Sequence, residues 1–140
     1  MSAAQNKELL QKIFAGLAEG DAGLFVESMA DDFSWTITGT TALSRTFQGK
    51  MAVLTELLGG LQRVIEGRIS VAAKRITAED NVVVVEAQGN NLTKKGGRYD
   101  NRYCFVFELQ DGRLHSVIEY LDTELVTSAL VKPFAAAGSD

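Results

Sequence analysis

The sequence predicts an α+β fold in which three N-terminal helices pack on a strongly curved, mainly antiparallel sheet. Three observations lead there. Apolar residues recur at helical spacing through the first part of the chain, and runs rich in β-branched and aromatic residues fill the second. Two of those runs meet at Asp111-Gly112, a hairpin signal, because both residues tolerate the positive φ of tight turns. A sheet of this kind must bury one face, and the helices are its cover. Wrapped over them, it encloses a cone with an apolar interior. The 140 residues suffice for one domain, spanning 1–140, with a true core.

In chain order, Leu9, Leu10, Ile13, Phe14 and Leu17 mark an amphipathic helix over residues 4–18, and Gly20 ends it. Asp21 is placed to cap a short second helix that turns Leu24, Phe25 and Met29 inward. Asp31-Asp32 reads as a break. Phe33 to Thr38 comes next as a strand, with Phe33, Trp35 and Ile37 on one face, and Gly39 to Phe47 as a loop. A third helix starts near Lys50, its stripe made by Met51, Leu54, Leu57, Leu58 and Leu61. Four strands then form an antiparallel meander: Ile65 to Thr77, Val82 to Thr93, and the two around Asp111-Gly112. Lys94 to Gly97 reads as the turn before the third of them. Asp122 or Thr123 caps a last helical turn that ends before Lys132-Pro133, and the AAAGSD tail is expected to fray.

Charge and composition exclude several classes. The net charge is −4 with no basic stripe, so nucleic acid is not an expected partner. No run of 18 apolar residues exists, so no membrane span is expected, and MSAAQNKELLQKIF lacks a signal-peptide core. Cys104 is alone, which rules out an internal disulfide and a cysteine metal cluster. His115 has no companions for a metal site. No glycine follows a strand and opens a helix in phosphate-loop spacing. The expectations are therefore no cofactor, no metal and a cytoplasmic location.

The stretch Arg98 to Val126 carries the candidate chemistry, because acidic groups there sit among large apolar ones. Its register decides which of them face the cone. A three-residue turn at Asp111 sets Tyr103 opposite Glu119, and a four-residue loop at Lys94–Gly97 sets Tyr103 opposite Gln88. The three would then form a row across adjacent strands. A two-residue Asp-Gly turn instead pairs Tyr103 with Tyr120 and turns Glu119 outward, since a one-residue slip flips the face.

The order of the first helix, Asp21, ADDFSWTITG, FQGKMAVLTELL and YDNRYCFVFELQDGRLHSVIEYLDTELV resembles the SnoaL-like branch of the NTF2-like superfamily, from about residue 6 to 130. The resemblance implies a cone-shaped α+β fold, a deep pocket and a homodimer. It also implies the first register, with Glu86, Gln88, Asn101, Tyr103, Phe105, Val117 and Glu119 facing the cone beside Trp35 and Ile37. The superfamily includes ketosteroid isomerases and limonene epoxide hydrolase, but neither residue set is retained. A ketosteroid isomerase carries its base where Ile37 stands and a helix tyrosine where Ile13 or Phe14 stands; Tyr103 replaces its oxyanion-hole aspartate. The hydrolase triad of Asp, Arg and Asp falls on Gln88, Glu86 and Glu119, so a cation is lost, and its water-holding residues fall near Trp35 and Ile37.

The reading that results is a cofactor-independent SnoaL-like isomerase, cyclase or hydrolase acting on a small hydrophobic carbonyl or polyketide-like compound. Glu119 moves a proton, while Tyr103 and Gln88 hold the oxygen that gains charge. Trp35, Ile37, Glu86, Asn101, Phe105 and Val117 line the ligand site. The alternative is a non-catalytic ligand-binding or assembly module, in which Glu119 only ties strands together. In either case the outer sheet face, with Ala72, Cys104 and Val106, is expected to meet a second copy.

Overall fold

A computed structural model describes residues 1–135, so the tail expected to fray lies, beyond Ala135, outside the described residues. Helix α1 runs Ala3–Ala18. Ser2 and Gln5 close a reciprocal capping box at its start, satisfying two backbone donors that the helix cannot. Leu10, Ile13 and Phe14 are buried, as their spacing requires. Gly20 terminates the helix at φ +77°, a left-handed conformation that suits glycine. The second helix, α2, spans Gly23–Ser28. Asp21 sits one residue before its cap position and accepts from the Gly23 N–H at 2.9 Å.

The strands are β1 Met29–Ile37, β2 Thr46–Gln48, β3 Ile65–Glu66, β4 Val71–Glu79, β5 Val82–Gly89, β6 Leu92–Thr93, β7 Arg102–Gln110 and β8 Arg113–Leu121. Six of them form one sheet in the order β2-β1-β8-β7-β5-β4, and β3 pairs with β6 separately. The expected meander is present, with every pair antiparallel except β1 on β8, which is parallel. Three boundaries differ from the sequence reading. β1 stays extended through Asp31-Asp32, with its pairing to β8 irregular between Met29 and Ser34. The loop after β1 contains the short edge strand β2. The Ile65–Thr77 and Val82–Thr93 segments are each split, and their detached ends pair as β3 and β6.

Two bulges bend the sheet. In β4, Lys74 has no partner between the pairs Ala73–Ala87 and Arg75–Glu86. The inner face passes there from Val71 and Ala73 to Ile76 and Ala78, which pack on the core. In β8, His115 is the extra residue, since Leu109 pairs with Leu114 and Glu108 with Ser116. An extra residue kinks its strand and increases local twist, which is how a flat sheet becomes a cone.

The register of β7 on β8 is neither of the two expected. The turn is the tight one, with Gln110 paired to Arg113 and only Asp111 (φ +51°) and Gly112 (φ +76°) between them. The His115 bulge then shifts the ladder, so Tyr103 lies opposite Leu121 and Phe105 opposite Glu119. Tyr103 and Glu119 still share the inner face, because turn and bulge together restore the parity that the turn alone would break.

Two further elements close the cone. The third helix, residues 50–64, is α-helical at both ends and widens to a π-helix at Val53–Leu58, where the Gly59 N–H reaches back five residues to the Leu54 carbonyl. The C-terminal helix, residues 123–131, is longer than the single turn expected. Asp122 caps it by accepting from the Glu124 and Leu125 N–H groups, and a second π segment continues it at Val126–Val131. It buries Val126, Ala129 and Leu130 in a small cluster with Ile65 and Tyr99, so the three N-terminal helices are not the only cover. On the outer face, Val84, Val106 and Ile118 form a cross-strand row, and Tyr120 beside it is 48% exposed. No described helix is long and apolar enough to cross a membrane.

Candidate functional site

Glu119 lies in the middle of β8, between Val117 and Leu121 on its own strand, with Phe105 and Ile37 as its cross-strand neighbours. It is only 7% exposed. Its carboxyl group accepts one hydrogen bond, from the Trp35 Nε1–H at 2.8 Å. A carboxylate has about four lone-pair sites, so most of its capacity is unused. Burial pushes its pKa up to about 7 from an ordinary 4.5, and the Trp35 bond pulls the other way without prevailing. Its midpoint is thus moved toward neutrality, which suits a group that both takes and gives protons.

Tyr103 shares that wall. Its ring stacks on Phe105 with centroids 5.0 Å apart. Burial, with the charges of Tyr99 and Glu119 nearby, holds its hydroxyl well above the usual tyrosine value, so it stays a neutral donor. Trp35 is fixed edge-on between Phe25 and Phe105, at 5.8 Å and 6.2 Å. The indole of this aromatic frame is the donor to Glu119.

Two cavities meet at this wall. One, of about 160 Å³, lies under the third and C-terminal helices and is bordered by Ile37, Phe47, Leu57, Tyr99, Val126 and Leu130 among others. The second, of about 210 Å³, lies between α1, α2 and the sheet, bordered by Phe14, Phe25, Trp35, Phe105 and Phe107. Leu61, Tyr103 and Glu119 border both. A buried acid and a neutral hydroxyl therefore stand between two apolar lobes and border each.

Other expected site residues sit elsewhere. Gln88 pairs with Arg102 and Glu86 with Cys104, so both point to the outer face and not into the cone. Gln88 donates to the Asp100 carbonyl at 2.8 Å. Glu86 is ion-paired with Arg75, whose hydrogen bond holds its carboxyl below the usual range; it adds nothing to the Glu119 environment. The physical reason is the chain between β5 and β7. The four-residue loop expected there is a longer excursion through β6, held by Gly89 N–H to Asn101 O at 2.8 Å, and it shifts β5 by one residue. Ala87 takes the place beside Tyr103 that Gln88 was expected to hold.

Asn101 is fully buried and fully used. Its amide donates to Tyr99 Oη and the Asp122 carbonyl, and its oxygen accepts from the Arg102 and Asp122 N–H groups. No capacity remains for a ligand. Val117 is 1% exposed within the core and does not border either cavity. Tyr99 was not anticipated. It borders the first cavity, accepts the Asn101 amide, and burial raises its hydroxyl to about 12. Only its aromatic character, two residues after Gly97, hints at a buried anchor beyond the turn. Among the described residues no group of three His, Cys, Asp or Glu side chains is gathered for a metal ion.

A raised carboxyl pKa links folding to pH. The protonated acid is favoured in the fold, so the contribution of Glu119 is intact below about 4.5 and is lost progressively as pH rises to about 7. The total is roughly 3 kcal/mol. Glu119→Gln retains an oxygen for Trp35 and cannot ionise. The melting temperature of the wild type should fall relative to this variant across that pH window, with the variant the more stable at pH 8. A difference that stays constant with pH contradicts the raised value.

The SnoaL-like domain model matches residues 10–117. No curated protein matches the chain in sequence. Solved structures share the fold. A candidate SnoaL-like polyketide cyclase from Jannaschia sp. CCS1 is 19% identical over 94% of each chain, at a TM-score of 0.74. A candidate isomerase from Bacillus subtilis is 23% identical, covering 90% of this chain and 92% of its own, at 0.73. TerC, co-crystallised with polyporic acid, is 20% identical, covering 89% and 97%, at 0.74. NTF2-like proteins of Burkholderia superpose comparably, one from Burkholderia pseudomallei at 0.77. With the family model spanning most of its length, the chain belongs to the SnoaL-like domain family.

Proposed function

We propose that the protein is an acid/base enzyme for a small hydrophobic carbonyl or polyketide-like compound, with Glu119 as the proton-moving group. The observation that carries this reading is the single hydrogen bond to a buried carboxyl that borders both cavities. In its ionised form Glu119 takes a proton from the carbon next to a carbonyl. The electron pair moves onto the carbonyl oxygen, which the Tyr103 hydroxyl stabilises as an enolate. Glu119, now protonated, returns the proton to another carbon of a conjugated enolate, which isomerises the compound; alternatively the enolate carbon attacks a second carbonyl and closes a ring, and Glu119 gives its proton to the alkoxide oxygen that forms. Gln88 takes no part, since it faces outward. The polyketide cyclase and isomerase descriptions attached to proteins of this fold agree with such chemistry.

A binding module is the second reading, favoured by the same Trp35–Glu119 bond, which would also serve to tie β1 to β8. Turnover separates the two. Native mass spectrometry of gently purified protein should reveal a carried apolar compound, and its titration should alter the emission of the sole tryptophan, Trp35. Glu119→Gln should bind it yet lower turnover by about 10²–10⁴-fold, the usual worth of a general acid/base. Binding without any change in Trp35 emission, or turnover at the wild-type rate in the variant, contradicts the reading.

The outer row of Val84, Val106 and Ile118 supports a homodimer through the open sheet face. Sedimentation at micromolar concentration should show a dimer that Val106→Asp dissociates. A monomeric wild type excludes it.

A further inference from the structure

The aromatic cavity has a charged mouth. Arg68, just before the edge strand β4 and so three strands from β8, borders it, together with Gln62 of the third helix. Arg68 is the one cationic side chain bordering either cavity, and among the described residues it has no ion pair and no side-chain hydrogen bond. The other cavity also has a charged residue at its margin, Glu56, but that one is already neutralised by Arg45.

The Arg68 stem is also positioned. It lies against the bare backbone of Gly20 at the end of α1, where a Cβ would come within 2.9 Å of Arg68 Cβ and 3.2 Å of its Cδ. Gly67, at φ +72°, turns the chain just before it. An exposed arginine bordering an apolar cavity, its stem against Gly20, is an attractive point for an anion.

We propose that the aromatic lobe takes elongated apolar or aromatic carboxylates, with Arg68 reading the carboxylate at the mouth and the apolar body lying on Trp35, Phe105 and Phe107. This rests on the reading of Glu119 above, and it orients the substrate. With the anionic end at Arg68, the opposite end, with its carbonyl or hydroxyl oxygen, is directed to Tyr103 and Glu119. The anion is kept away from the buried acid, whose own ionised form would repel it. The planar guanidinium pairs with both carboxylate oxygens at once, which an ammonium cannot match.

The test uses a matched pair of probes, 2-naphthoate and the neutral 2-naphthamide, titrated calorimetrically near pH 6, where Glu119 is mostly protonated. The wild type should prefer the carboxylate by about tenfold, discounted from a buried pair because Arg68 is exposed. Arg68→Gln should remove the preference, Arg68→Lys should keep part of it, and 0.5 M salt should shrink it. Equal affinity for the two probes, or a preference that survives in Arg68→Gln, overturns the assignment of Arg68 and leaves the pocket reading standing. Failure of both probes to bind overturns the proposal that this lobe takes aromatic carboxylates, while the Glu119 reading is tested separately by turnover of the carried compound.

Discussion

His115 interrupts the pairing of β7 with β8, and the inner wall beyond it depends on that interruption. Strand side chains alternate faces, so a two-residue turn followed by an unbroken ladder would send Glu119 to the outside. The extra residue reverses the parity once, and Val117 and Glu119 enter the cone. The same device at Lys74 lets the edge strand β4 keep apolar residues on the core while it bends. The cone and the site are thus products of one constraint: each bulge both curves the sheet and re-aims the side chains beyond it.

The sheet carries two glutamates in opposite states. Glu86, on the outer face, is solvated and paired with Arg75, so its charge is favoured. Glu119, on the inner face, has an indole N–H for a partner and aromatic rings around it, so its charge is disfavoured. A neutral donor contributes about 1 kcal/mol net, whereas removing a carboxylate from water costs several times that unless it is paired with a charge. Desolvation therefore wins, and the proton stays on to near-neutral pH. The fold tolerates this cost at the point where two apolar lobes meet.

Much of this was legible in the sequence. Helical spacing at Leu10, Ile13 and Phe14 marked the first helix, and Gly20 its end, because both signals are local. The meander, the Asp111-Gly112 turn and the Asp122 cap were legible for the same reason. The strand register was not legible. A bulge has no composition of its own, and one residue at His115 outweighed a strong turn signal. Sequence pattern alone places Glu86 and Gln88 on the wrong face, because the path from Gly89 to Asn101 is set by long-range bonds, including Asn91 N–H to the Asp100 carboxylate and Ser70 N–H to the Asn91 side-chain oxygen. Tyr99 and the full C-terminal helix went unseen, since their burial depends on each other and not on any local pattern.

Burial holds the proton on Glu119 to near-neutral pH in the folded state. Carbon-13 NMR of the glutamate carboxyl groups, titrated by pH and assigned by loss of one signal in Glu119→Gln, measures this directly. The expected result is one resonance with a midpoint near 7 that disappears in the variant. A Glu119 signal titrating near the ordinary 4.5 would show a solvated carboxylate, and with it the buried acid at the junction of the two cavities would be lost.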